Sequence, residues 1–172
     1  MAVSSYTISE VENMDGHVEL VNGILSVEDK AAPMHNSMVG VIATALRNYI
    51  SQNHGSCSVF TDSVALYCND EKNYYMPDIM VVCNKDKIQK DGVHDIPLFI
   101  VEVTSEETKK YDYADKMMMY KKMGVQEYWI VDIQKNTILK YLSFNEYVPE
   151  IFVHPKEMEV SVYPGLTITL EF

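Results

Sequence analysis

The apolar positions of this chain recur with two periods, and the switches between them lay out its elements. Thr7-Ile8-Ser9-Glu10 has the S/T-x-x-E spacing of a capping box, which starts a short helix near Ile8. Segments 17–21 and 24–27 flank Asn22-Gly23. A type I′ turn favours that dipeptide because both central residues need positive φ, so the two segments form a hairpin. After Pro33, the residues Met38, Val41, Ile42, Ala45, Leu46, Tyr49 and Ile50 recur at spacings of three and four. They predict a helix over about 36–52, closed by Gly55. Segments 57–60 and 64–67 read as a second strand pair and 69–73 as a polar turn. Segment 74–83 reads as one strand, with Pro77 marking an edge or a bulge.

A polar loop, 84–95, precedes 97–103, an almost continuous apolar run broken only by Glu102. Such runs are typical of central strands covered on both faces. Residues 106–123 have helical spacing, with Tyr113, Met117, Tyr120 and Met123 on one face and Gly124 as the stop. Strands 126–132 and 137–142 are joined through Gln134-Lys135-Asn136, and 147–153, 159–162 and 166–170 continue the strand pattern. This order implies α+β or α/β, with a mixed central sheet flanked by helices. The predicted core comprises Val41, Ala45, Ile79, Val81, Leu98, Ile100, Val101, Tyr120, Tyr128 and Ile130.

Length and composition narrow the class. No repeat or linker divides the 172 residues, so a single domain spanning 1–172 is expected. No apolar run reaches about 18 residues and no basic-then-apolar leader is visible, which implies no membrane segment and a cytoplasmic setting. Cys57, Cys68 and Cys83 are odd in number and lack zinc spacing, so reduced, buried thiols are expected. The net charge of -11 argues against tight nucleic-acid binding. It is unevenly spread: residues 85–122 carry eight of the fourteen basic residues and eight acids, so a polyanion would approach that neutral stretch. Arg47 is the only arginine, which nearly excludes bidentate guanidinium recognition. Twelve tyrosines fit strand filling better than base stacking.

The chemistry concentrates between Met76 and Trp129. A carboxylate at Glu102, inside an apolar strand, is costly unless paired or metal-bound; the plainer reading is a strand-end acid with a solvated edge. Alternation puts Leu98, Ile100 and Glu102 on one face and Phe99, Val101 and Val103 on the other. Asp78 heads another apolar strand behind Pro77. Carboxylates on adjacent strands are hard oxygen ligands suited to Mg²⁺ or Mn²⁺. Lys116 lies four residues from both Asp112 and Tyr120, so the three share a helix face. Lys116 either serves the site or forms a surface pair with Asp112. Glu19, in the first hairpin, is a possible third carboxylate, and His35, at the start of the long helix, is a further candidate. Ser63, Ser105 and the cysteines lack a triad context, and no phosphate-binding glycine loop occurs.

Several of these residues together resemble a known family. Glu19-Leu20-Val21-Asn22-Gly23, Pro77-Asp78, Val101-Glu102-Val103-Thr104-Ser105, Asp112 with Lys116 and Tyr120, and Gly124-Val125-Gln126-Glu127-Tyr128-Trp129 look like the Uma2 family. Its members are described as restriction endonucleases with a PD-(D/E)XK nuclease-like fold. The resemblance implies a restriction-endonuclease-like core and a DNA endonuclease activity dependent on Mg²⁺ or Mn²⁺. Asp78 and Glu102 would be the metal ligands, joined by the Val103 backbone carbonyl and with Glu19 as an outer candidate. The superfamily's usual lysine position holds Thr104, so Lys116 would supply a displaced catalytic amine. Glu106 stands where the family usually has proline. DNA is the implied partner, and a homodimer would suit cleavage of both strands. The competing reading is a catalytically inactive module that uses the nuclease fold for protein contacts.

Overall fold

The computed structural model describes residues 5–27, 32–104 and 110–172, with side chains in the last stretch from Ala114 onward. A short helix α1 (Ile8–Val11) leads into β1 (Val18–Val21) and β2 (Ile24–Val27), and the long α2 (Pro33–Gln52) follows. Next come β3 (Ser58–Thr61), β4 (Leu66–Tyr67), β5 (Tyr74–Tyr75) and β6 (Ile79–Val82). Then β7 (Phe99–Thr104), α3 (Lys110–Met123), β8 (Glu127–Asp132) and β9 (Thr137–Leu142) complete the centre. The chain ends with β10 (Glu150–Val153), β11 (Glu157–Glu159) and β12 (Thr167–Thr169).

Local signals account for most of these boundaries. The Glu10 carboxylate accepts the Thr7 backbone N–H at 2.8 Å, as a capping box requires. Asn22 and Gly23 both have positive φ, 51° and 81°, and β1 pairs with β2 across them. Gly124, at φ 93°, ends α3, and the Val125 N–H returns to the Tyr120 carbonyl at 3.0 Å.

The central sheet has six strands in the order β10-β9-β8-β7-β6-β3. β7 and β8 run parallel, and every other neighbouring pair is antiparallel. β7 is fully buried, as its apolar run requires. One face packs α2 and the β11-β12 hairpin against Ile79, Val81, Phe99, Val101, Val103 and Trp129. The other face packs Met80, Ile100, Tyr128 and Ile130 against Tyr120 of α3 and Tyr75 of the second sheet. That smaller sheet has the order β2-β1-β5-β4. Glu102 follows the alternation of Ile100, so it faces α3 rather than α2.

Three expectations about packing and pairing are corrected. Val41 is exposed, at 42 %, because the buried arc of α2 is centred on Met38, Val39, Ile42, Ala43 and Leu46; Val41 lies well off it at 100° per residue. Segments 57–60 and 64–67 are not partners: β3 pairs with β6 and β4 with β5, in different sheets. Asp62 and Ser63, at φ 41° and 57°, turn the chain between them. Segment 74–83 is likewise two strands, β5 and β6, separated at Met76-Pro77, where the chain changes sheet.

The C-terminal boundaries also shift. After Glu146 and Tyr147, both at positive φ, β10 begins only at Glu150, and β11 covers Glu157–Glu159 rather than 159–162. Beneath this segment lies a charged cluster that the sequence reading did not anticipate. The buried Glu127 carboxylate accepts the Trp129 indole N–H and the Val162 backbone N–H, each at 2.8 Å, and Lys140 stands 3.4 Å away. Lys140 in turn donates to the Glu159 carbonyl at 2.7 Å. This cluster fastens the last segment to β8 and β9.

The expected reduced thiols are corrected too. The β3-β6 register places Cys57 opposite Cys83, and the two form a disulfide; Cys68 is the free, buried cysteine. Disulfides persist in oxidising settings, so this bridge and the cytoplasmic expectation pull in opposite directions. Among the described residues, no helix is long and apolar enough to cross a membrane. The bridge closes a sequence separation of 26, worth about 3.5 kcal/mol by loop entropy. Replacing Cys57 by Ser is expected to lower the denaturant midpoint of the oxidised protein accordingly. In excess dithiothreitol the wild type and the variant should unfold together; equal midpoints without reductant would remove the bridge from the fold.

Candidate active site

Five segments bring five polar side chains together at one end of the central sheet. Glu19 comes from β1, Asp78 from the residue before β6, Glu102 from β7, Lys116 from α3, and His35 from the first turns of α2. All five are buried, from 2 % exposure for Glu19 to 9 % for His35. The apolar packing described above is what carries them there. Met38, Ile42 and Leu46 seat α2 on Ile79 and Val81, which aligns His35 with Asp78. Tyr120 and Met119 seat α3 on the opposite face, which aligns Lys116 with Glu102.

Lys116 is the pivot. Its Nζ lies 2.7 Å from Glu19 Oε2, 2.8 Å from Glu19 Oε1 and 3.3 Å from Glu102 Oε1. It also stands 5.7 Å from the centre of the Tyr75 ring, within cation–π range. The ammonium pairs with Glu102 and, more closely, with Glu19, so Lys116 is not the plain surface partner of Asp112. Glu19 Oε1 also accepts the Met76 N–H at 2.9 Å, so the carboxylate proposed as a third acid serves first as the anchor of the lysine. The side chain of Asp112 lies outside the described residues.

Glu102 Oε1 accepts a second hydrogen bond, from the Tyr120 hydroxyl at 2.9 Å. Burial holds that phenol far above its ordinary value, with the Glu102 charge adding to the rise, so Tyr120 remains a donor. Asp78 has both oxygens engaged. Oδ2 accepts the Val103 N–H at 2.6 Å, and Oδ1 faces His35 Nε2 at 3.1 Å. The Val103 amide therefore points at Asp78, immediately after Glu102 in the chain. Thr104, in the position where the lysine was missing, is buried at 7 %.

Acidic groups outnumber cationic ones in the cluster. Three carboxylates face one ammonium and one imidazole, and the ammonium sits nearer Glu19 than Glu102. Burial raises the Glu102 carboxyl from the ordinary 4.5 to about 8; Lys116 opposes the rise, while Asp78 and Glu19 add to it. The oxygens of Asp78 and Glu102, with the Val103 carbonyl, are the donors that could meet a divalent cation. Among the described residues, no three His, Cys, Asp or Glu side chains form a ready ligand cage.

Sequence reasoning named every charged member of this cluster but missed Tyr75. It gave Glu127 no structural role, because the polar, exposed Gln126 beside it hides the signal that singled out Glu102.

The mixed sheet with a helix on each face and an acidic cluster at one end defines a restriction-endonuclease-like fold. The chain belongs to the Uma2 family, described as "Putative restriction endonuclease", whose profile matches residues 3–171. Among solved structures it is similar to "a putative nuclease belonging to DUF820" from Anabaena variabilis ATCC 29413. That likeness has a TM-score of 0.78 at 16 % identity and covers 95 % of this chain and 94 % of the other. No curated protein matches the chain.

The raised Glu102 sets a pH dependence. Between about 4.5 and about 8 the folded chain binds more protons at Glu102 than the unfolded chain, so its contribution to stability falls as pH rises through that window. Urea midpoints measured across it are expected to decline for the metal-free wild type and to decline less for Glu102→Gln. Parallel curves would mean that Glu102 titrates normally. Lys116→Met leaves Glu19 and Glu102 unpaired and is expected to cost about 3–5 kcal/mol.

Proposed function

We propose that this chain is a divalent-metal-dependent endonuclease that hydrolyses phosphodiester bonds in DNA. The observation that carries the reading is Lys116 buried between Glu19 and Glu102, with Asp78 tied to the next peptide of the same strand. An amine beside two strand carboxylates is retained although Thr104 occupies the usual lysine position. The donor set fits Mg²⁺ or Mn²⁺. Such ions are commonly held by one or two carboxylates, with water and substrate phosphate completing the shell, and need no protein cage.

Asp78, Glu102 and the Val103 carbonyl would hold the ion. When bound, it would supply electrostatic stabilisation of the charge that develops on the phosphate. Lys116, held by Glu19, would hold its ammonium beside the attacking water and the phosphate oxygens. Tyr120 would keep Glu102 in orientation. The buried setting excludes bulk water and strengthens each of these contacts. DNA as substrate follows from the family description, and two copies of the chain would cut the two strands.

The second reading, a catalytically inactive nuclease-fold module, is favoured by the net charge of -11 and the single arginine. Divalent-metal thermal shifts separate the two. A metal at about ten times its Kd adds roughly 1.4 kcal/mol of stability, and no shift with Mg²⁺, Mn²⁺ or Ca²⁺ would favour the module. In a plasmid-nicking assay with Mn²⁺, Glu102→Ala is expected to abolish cleavage while retaining the fold. Lys116→Ala should slow cleavage by about 10²- to 10³-fold, the size seen when one charge-stabilising donor is removed. Equal nicking by wild type and both variants would assign the activity to a contaminant.

A further inference from the structure

We propose that His35 is a nitrogen ligand of the divalent cation, so that the centre takes a transition-metal dication such as Mn²⁺ in preference to Mg²⁺. This rests on the metal-dependent reading above and specifies the ion. Asp78 Oδ2 is committed to the Val103 N–H at 2.6 Å, which leaves Oδ1 as the oxygen available to a cation. His35 Nε2 stands 3.1 Å from that same Oδ1. Bonds of roughly 2.1–2.2 Å place neighbouring donors of an octahedral shell roughly 3.0–3.1 Å apart, so the two atoms already have the spacing of one edge. The placement is built into the fold: α2 is packed on β6 through Met38, Ile42 and Leu46, and His35 is buried, at 9 % exposure.

A His–Asp ion pair is the simpler account of the contact, and it makes a different prediction. An ion-pair partner must leave Oδ1 when a cation arrives, so removing it would leave metal affinity unchanged or raise it. A ligand stays, and its removal weakens binding. Mg²⁺ and Ca²⁺ strongly favour oxygen, whereas first-row transition ions accept imidazole readily, so a nitrogen donor shifts the preference toward the latter. Glu102 and the Val103 carbonyl, with water, would complete the shell.

Mn²⁺ itself is the probe. Pulsed EPR on the Mn²⁺-loaded wild type is expected to show ¹⁴N modulation from a coordinated imidazole. His35→Gln keeps a hydrogen-bond donor toward Asp78 but should lose that modulation. It should also bind Mn²⁺ on the order of tenfold or more weakly, with a smaller loss for Mg²⁺ in a competition titration. Should His35→Gln melt below the assay temperature, His35→Asn takes its place. Mn²⁺ binding that Glu102→Gln weakens, but without nitrogen modulation or with modulation that survives in the His35 variant, would overturn the assignment of His35 and leave the metal-dependent reading standing. Absence of Mn²⁺ binding by the wild type, or binding indifferent to Glu102→Gln, would remove both.

Discussion

Lys116 is buried between two carboxylates that come from separate sheets, and much of the architecture depends on keeping it so. Taking an ammonium and two carboxylates out of water costs several kcal/mol per ion, and only close pairing offsets that. Glu19 lies 97 residues before Lys116 and belongs to the small sheet; Glu102 belongs to the central one. One side chain on α3 therefore joins three elements whose apolar surfaces alone would tolerate sliding. The contact is directional where hydrophobic packing is not, and it specifies how the small sheet sits over the end of β7.

Two buried charged clusters occupy opposite sides of the central sheet, and their difference separates a scaffold cluster from the candidate site. Around Glu127 the donors match the acceptor: an indole N–H, a backbone N–H and Lys140 all converge on one carboxylate. A cluster satisfied in this way fastens chain segments together and has no charge left over. Around Glu102 the acids outnumber the cations, because one ammonium is shared by two acids and a third acid stands nearby, and Glu102 holds its proton up to about pH 8. Shifts of this kind concentrate at functional sites. The imbalance, rather than burial as such, marks this end of the sheet.

The acidic chain sets the terms on which DNA could be engaged. With a net charge of -11 and one arginine, long-range attraction to a duplex is absent, and non-specific affinity would be weak. The stretch 85–122, which contains Glu102 and Lys116, is neutral in formal charge, whereas the rest of the chain carries the whole -11. Substrate contact would then depend on the local site and on metal charge more than on a basic surface.

Features confined to a few consecutive residues were legible in the sequence. The capping box at Thr7, the Asn22-Gly23 hairpin, the stop at Gly124 and the central burial of β7 all follow from contacts within one turn or one alternation. Glu102 and Asp78 could be picked out for the same reason, since each carries its cost in its own neighbourhood. What the tertiary structure alone decided is which distant residues meet: β3 with β6 rather than with 64–67, Cys57 with Cys83, Lys116 with Glu19, and His35 with Asp78. The buried arc of α2 belongs with these, because the sheet, not the helix, determines which side faces inward and so leaves Val41 exposed. The physical reason is the range of the forces. Periodicity and turn chemistry report the local backbone, whereas the disulfide across 26 residues and the ion pair across 97 are settled by how whole apolar faces pack together.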